Sequence, residues 1–228
     1  IVSQTKSDVS IKKTFTEGWE FIKTIPAFAY QALGMLMAGA VMTILLYDAL
    51  SDAHVDLGSG FQSFYATYNL LIAIGSLIIQ SLSGLVIEKL TLKNSFLIQP
   101  FVMLVSGILN FLVPGYLGSA VAQGVARTSY DTIDLSNRKA FQALVPNEKR
   151  GRVSMFIDSY LPSLGTIIGS LITFGIIATG LGLGWQRDLY SMIYLGLGVA
   201  LAFLAIWAAY RVRKTYEASL LNWQLKRR

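Results

Sequence analysis

Four charged residues in the second half of this chain, Arg127, Asp131, Asp134 and Asp158, lie where a bilayer would begin and end, and their spacing suits a path for a polar solute. Arg127, Asp131, Asp134 and Arg138 succeed one another at i, i+4, i+7 and i+11, a single face of an α-helix, with Gln123 one turn earlier and Tyr130 beside them. Asp158 stands about one and a half turns inside the next apolar stretch. Ionisable side chains at such depth usually face a bundle interior or a watery cavity and mark substrate or ion paths. The stripe therefore reads as the wall of a pathway. The competing reading is the polar end of a helix whose opposite charges neutralise one another.

The elements that must position these residues are membrane-spanning helices. The chain is 54% hydrophobic and only 14% charged, with a mean hydropathy of +0.53, the profile of a polytopic membrane protein. Ile25 to Tyr47, Leu57 to Ile87, Asn94 to Ala126 and Leu189 to Tyr210 contain no Asp, Glu, Lys or Arg, and Val153 to Gln186 contains only Asp158. Each is as long as the roughly 20 residues that cross a bilayer as a helix. The Asn94 run is too long for one crossing, and "LVPGYLG" supplies a turn at Pro114 and Gly115. The expected fold is all-α, with six transmembrane helices at about 25–48, 64–87, 94–113, 116–136, 153–179 and 189–210. The runs lack the alternation of barrel strands.

Lys and Arg set the expected orientation. They crowd the N-terminal segment (Lys6, Lys12, Lys13, Lys23), the second connection (Lys89, Lys93), the fourth (Arg138, Lys139, Lys149, Arg150, Arg152) and the tail (Arg211, Arg213, Lys214, Lys226, Arg227, Arg228). The other connections together hold only Arg187. The positive-inside rule places both termini in the cytoplasm, and a bacterial inner membrane is the expected setting. The net charge of +6 is explained by this topology and gives no reason to invoke nucleic acid. Arg138, Lys139, Lys149, Arg150 and Arg152 form an expected basic gate at the cytoplasmic mouth.

Ahead of the first crossing, Ile11, Phe15, Trp19 and Ile22 repeat at helical spacing, with Lys12, Lys13, Glu17 and Glu20 around them. Residues 1–24 read as an amphipathic lead-in on the membrane surface, 25–212 as the six-helix bundle and 213–228 as a basic tail. The initial Ile points to a piece of something longer or processed. Pro162 predicts a kink in the fifth crossing, and Gly165 and Gly169 behind it form a small-xxx-small packing pair. "SDAHVD" reads as a solvated outer loop rather than a cation site, and "GLGLGW" as a flexible turn. There is no Cys, which excludes disulfides and thiolate metal sites. No nucleophile elbow, metalloprotease helix or Walker sequence occurs, so neither an enzyme nor a cofactor is expected.

The lead-in helix, the six crossings with both ends inside, the short basic connection "IEKLTLKN" and "LVPNEKRGR" before the fifth crossing resemble one half of a major facilitator superfamily transporter. Within that superfamily, the segment from Ser129 to Ser170 is similar to the nucleotide transporter branch, the ATP/ADP translocase-like proteins. The matching residues are Tyr130, Asp134, Ser136, Ala140, Phe141, the triplet Arg150, Gly151 and Arg152, then Asp158 and the glycine pair. The resemblance implies the C-terminal six-helix half of a secondary transporter of an organic anion, a nucleotide in that branch, working by alternating access. It also implies a partner: a second six-helix half from the same gene, a separate chain or a second copy, with substrate held between the halves near the bilayer midplane. The alternative is a helical subunit of a larger membrane complex that has lost transport.

Because the chain lacks Cys, single cysteines test the orientation without background. Ser59→Cys should react with an impermeant thiol reagent from outside the cell, and Asn147→Cys only after the membrane is opened. The reverse pattern would overturn the orientation.

Overall fold

The computed structural model describes residues 11–225, and every regular element among them is helical. Lys6, Lys226, Arg227 and Arg228 fall outside the described residues. The amphipathic segment forms α1 (Ile11–Thr24), which a bend at Ile25 separates from α2 (Pro26–Leu57). Pro26 opens α2 at a position where its missing N–H costs nothing. A short 3₁₀ turn at Gly58–Gly60, with Gly58 at φ 51°, folds the chain back into α3 (Phe61–Leu90). After α4 (Leu92–Ser95) and α5 (Ile98–Leu112), the expected turn appears at Pro114 and Gly115, the latter at φ 99°, a conformation that favours glycine. The following arm comprises α6 (Tyr116–Ser129), a π-helical turn (Tyr130–Asp134) and α7 (Leu135–Gln142). The next comprises α8 (Asn147–Met155), a second π-turn (Phe156–Tyr160) and α9 (Leu161–Gly182), and α10 (Arg187–Leu225) closes the fold.

Four stretches are long and apolar enough to cross a membrane: Pro26–Leu90, which contains the α2–α3 hairpin, Leu92–Leu112, Asn147–Gly182 and Arg187–Ala218. The α6–α7 arm is not among them, because Arg127, Asp131, Asp134, Arg138 and Lys139 dilute its apolar residues. Two boundaries and the setting of one proline also differ from the sequence reading. "SDAHVD" is no loop but the last turns of α2, where Asp48, Asp52 and Asp56 share one face at i, i+4 and i+8. Residues 213–225 are no separate tail, since α10 runs through them without a break. Pro162 lies in the first turn of α9, directly behind the second π-turn, so its missing N–H falls where the regular hydrogen-bond ladder is already interrupted.

α2 is the hub, packed against α6, α9 and α10, while α10 also covers α5. The α2–α9 contact is made by backbone. A Cβ on Gly165 would lie 2.6 Å from the Leu36 carbonyl oxygen and 3.0 Å from Gly39 Cα, and one on Gly169 would lie 2.5 Å from the Ala40 oxygen. Helices that lack a hydrophobic drive toward each other in lipid gain dispersion energy from such close approach. α3 is the opposite case. It leans on α6 and the first π-turn and buries only Tyr68 and Ser83, leaving Leu70, Leu71, Leu77 and Ile78 exposed. An exposed apolar face of this size suits contact with a lipid bilayer.

α1 docks on α8 and the second π-turn. Its buried face is Thr14, Gly18, Phe21 and Ile22, whereas Phe15 and Trp19 from the expected apolar stripe remain exposed at its flank. A Cβ on Gly18 would meet Phe156 at 2.5 Å, so only glycine allows this approach.

Gly165→Val should destabilise the purified protein by about 1–3 kcal/mol, the usual range for overpacking. Gly175→Ala, where nothing lies within 4 Å of an added Cβ, should not destabilise the protein and should raise its stability in detergent by up to about 1 kcal/mol.

Candidate functional site

The polar stripe does not stay on one face. An α-helix turns about 100° per residue, so the wider π-turn at Tyr130–Asp134 shifts the phase between α6 and α7. The stripe splits into two pairs with different surroundings. Arg127 Nε lies 3.5 Å from Asp131 Oδ2, and their side chains are 36% and 47% exposed. Arg127 Nη1 also donates to Asn69 Oδ1 on α3 at 3.3 Å, and one turn earlier buried Gln123 accepts a hydrogen bond from the Tyr68 hydroxyl. Arg127 is thus the polar head of a seam between α3 and α6.

The second pair turns inward. Arg138 Nε lies 3.0 Å from Asp134 Oδ2, its Nη1 is 4.0 Å from Asp158 Oδ1, and its side chain is 6% exposed beneath the ring of Tyr130. Asp158 sits on the second π-turn and also accepts from Lys139 Nζ at 2.5 Å and Gln142 Nε2 at 2.7 Å. The two π-turns are therefore linked through Arg138, with two carboxylates matched by two cations. Buried ion pairs of this kind hold geometry more than they add net stability. π-turns are rare in helices and frequent at functional sites, and each of the two here carries a carboxylate of this network.

The expected basic gate is largely consumed by structure. Arg138 is buried between its two carboxylates. Arg150 donates to the carbonyl oxygens of Ala143 and Val145, closing the C-terminal end of α7. Arg152 forms a two-oxygen pair with Glu17 of α1, at 2.5 and 2.6 Å. Lys139 and Lys149 remain exposed. The surface basin at Lys149, about 460 Å³, is lined by Glu17, Glu20 and Glu148 as well as Lys149 and Arg152. Its charge is mixed, so no purely positive mouth exists there.

Sequence reasoning missed a second polar node at the other end of the bundle. Asp48, buried on α2, accepts from Asn110 Nδ2 of α5 at 3.0 Å and from the Tyr194 hydroxyl of α10 at 2.6 Å. One turn on, Asp52 accepts from Arg187 at 2.7 Å and from Ser119 at 2.7 Å, and Asp56 accepts from the Tyr116 backbone N–H at 3.3 Å. His54, between them in sequence, stacks edge-on against Phe61 instead. The available signal was the i, i+4, i+8 acid spacing in a segment whose hydropathy continues that of the helix before it. Uncharged polar residues inside apolar runs, Asn110 and Gln99 among them, were a further signal.

No protein family, curated protein or solved structure matches this chain.

Removing one partner of the inward pair strands the other in the bundle. Arg138→Met should cost about 3–5 kcal/mol in unfolding measurements, and adding Asp134→Leu should recover part of that loss. If the double variant proved as unstable as the single one, Arg138 would not be held chiefly by its carboxylates.

Proposed function

We propose that this chain is one six-helix half of a secondary membrane transporter that moves an organic anion by alternating access, the nucleotide class being the one its sequence resemblance indicates. In this reading the α6–α7 arm crosses with the four apolar stretches, giving six crossings with both termini cytoplasmic, and a second six-helix half completes the pathway. One observation carries the reading. Arg127 stands about 16 Å along its arm from Tyr116, at 1.5 Å per residue, which is near the middle of a roughly 30 Å hydrocarbon layer, and its side chain is one-third exposed. A partly exposed guanidinium at that depth requires water, protein or an anion as its neighbour rather than lipid. α3, fastened to this arm by Tyr68–Gln123, Asn69–Arg127 and the Gln80–Ser136–Ser83 chain rather than by a packed core, is a suitable element to shift against it.

A second reading, a helical subunit of a larger membrane assembly, draws on a different observation. Asp134, Asp158, Arg152 and Arg187 are all ion-paired within the chain, leaving little charge committed to a solute.

The two readings part at Arg127. For a transporter half, ATP, ADP or a simple organic anion should bind the protein in its native assembly, and Arg127→Ala should weaken binding at least tenfold, about 1.4 kcal/mol. Binding should also weaken as salt rises. Absence of anion binding, together with stoichiometric partner chains that persist through purification, would support the subunit reading instead.

A further inference from the structure

A cavity of about 30 Å³ lies where α2, α5, the first π-turn and α10 meet, lined by Gln31, Met35, Phe96, Gln99, Asp134 and Val212 among others. Three of these side chains carry polar atoms with no protein hydrogen-bond partner: both Nε2 and Oε1 of Gln31, Oε1 of Gln99 and Oδ2 of Asp134. Gln31 is 5% exposed and Gln99 1%. The Gln99 amide is fixed from its other side, where Nε2 donates to the Ala126 carbonyl at 3.3 Å. Asp134 Oδ2 faces Arg138 Nε at 3.0 Å without hydrogen-bond geometry, and that nitrogen too has no hydrogen bond.

An unsatisfied buried amide atom costs about 1–3 kcal/mol, so three such atoms around one cavity, beside a carboxylate oxygen held by its ion pair alone, are not a tolerable dry arrangement. A water needs about 10–15 Å³ and two to four polar partners, and this cavity supplies space for one or two. Charge decides between water and a cation. Asp134 and Asp158 are already matched by Arg138 and Lys139, which leaves no uncompensated negative charge for an ion to neutralise. We propose that this cavity is a hydration site inside the helical bundle, in which one or two ordered waters bridge Gln31 of α2 and Gln99 of α5 to the Asp134 carboxylate. The site stands on these contacts alone, whether or not the chain transports an anion.

Met35 lines the cavity and Met103 is buried in the apolar core, which provides an internal comparison. Pulsed X-ray radiolysis generates hydroxyl radicals from bound water, and they oxidise methionine locally. With the protein in lipid nanodiscs, Met35 should be oxidised several-fold faster than Met103. In the Gln31→Leu, Gln99→Leu variant, which removes the polar lining at similar volume, the Met35 rate should fall to that of Met103. Met35 reacting no faster than Met103 in the native protein would overturn the proposal, and that comparison decides the matter even if the variant fails to assemble. Labelling should be equal in sodium and choline buffers. Suppression by sodium would show a cation in place of water and overturn the neutral occupant.

Discussion

Arg138 holds together what the rest of this bundle divides. Its guanidinium lies between Asp134 on one arm and Asp158 on the next, so the carboxylates of two π-turns share one buried cation. In an apolar bundle neither carboxylate is tolerable without a partner. The constraint spreads from there. Asp158 recruits Lys139 and Gln142, and Arg150 secures the connection between the arms by taking up the carbonyls at the end of α7. Arg152 then fastens that connection to α1 through Glu17. The arrangement of one whole end of the protein descends from this need to keep charge paired.

The two ends are tied by different means. One is an ion-pair network backed by aromatic packing, in which Phe28, Phe96 and Tyr216 surround Phe141. The other relies on the α2 acids reaching neighbouring helices: Asp48 to Asn110 and Tyr194, Asp52 to Arg187 and Ser119. Between them, α2 and α9 touch through backbone. A bundle tied at both ends and smooth in the middle is stiff along α2 and permissive at its margin, where α3 stands over a groove of about 730 Å³ lined by Tyr68, Leu71, Gly75, Val121, Gly124 and Thr128.

Much of the helical organisation was legible because apolar run length and the Pro114–Gly115 turn are local signals. The α2–α3 hairpin and the α5–α6 turn rest on them, and the helical spacing of Ile11, Phe15, Trp19 and Ile22 marked α1. What escaped depended on phase and partner. No spacing rule announces a π-turn, so the even stripe from Arg127 to Arg138 looked like a single wall, whereas the turn at Tyr130–Asp134 sends its two halves to different neighbours. The basic cluster from Arg138 to Arg152 looked like a surface gate because sequence shows charge without showing that Glu17, more than a hundred residues away, answers it. The acids of "SDAHVD" resembled a loop because their helix partners, Arg187 and Ser119, are equally remote.

The glycine seam has a consequence for how this sequence can vary. Every replacement of Gly39, Gly165 or Gly169 adds at least a Cβ, and each such carbon would lie within about 3.1 Å of atoms across the seam. At Gly165 and Gly169 even the smallest step forces the helices apart, while at Gly39 the neighbours would have to give by a few tenths of an ångström. The exposed leucines of α3, by contrast, can exchange for other apolar residues freely. The history of such a chain should therefore be written on its exposed apolar surface, while Gly165 and Gly169 change only together with the spacing of the helices themselves.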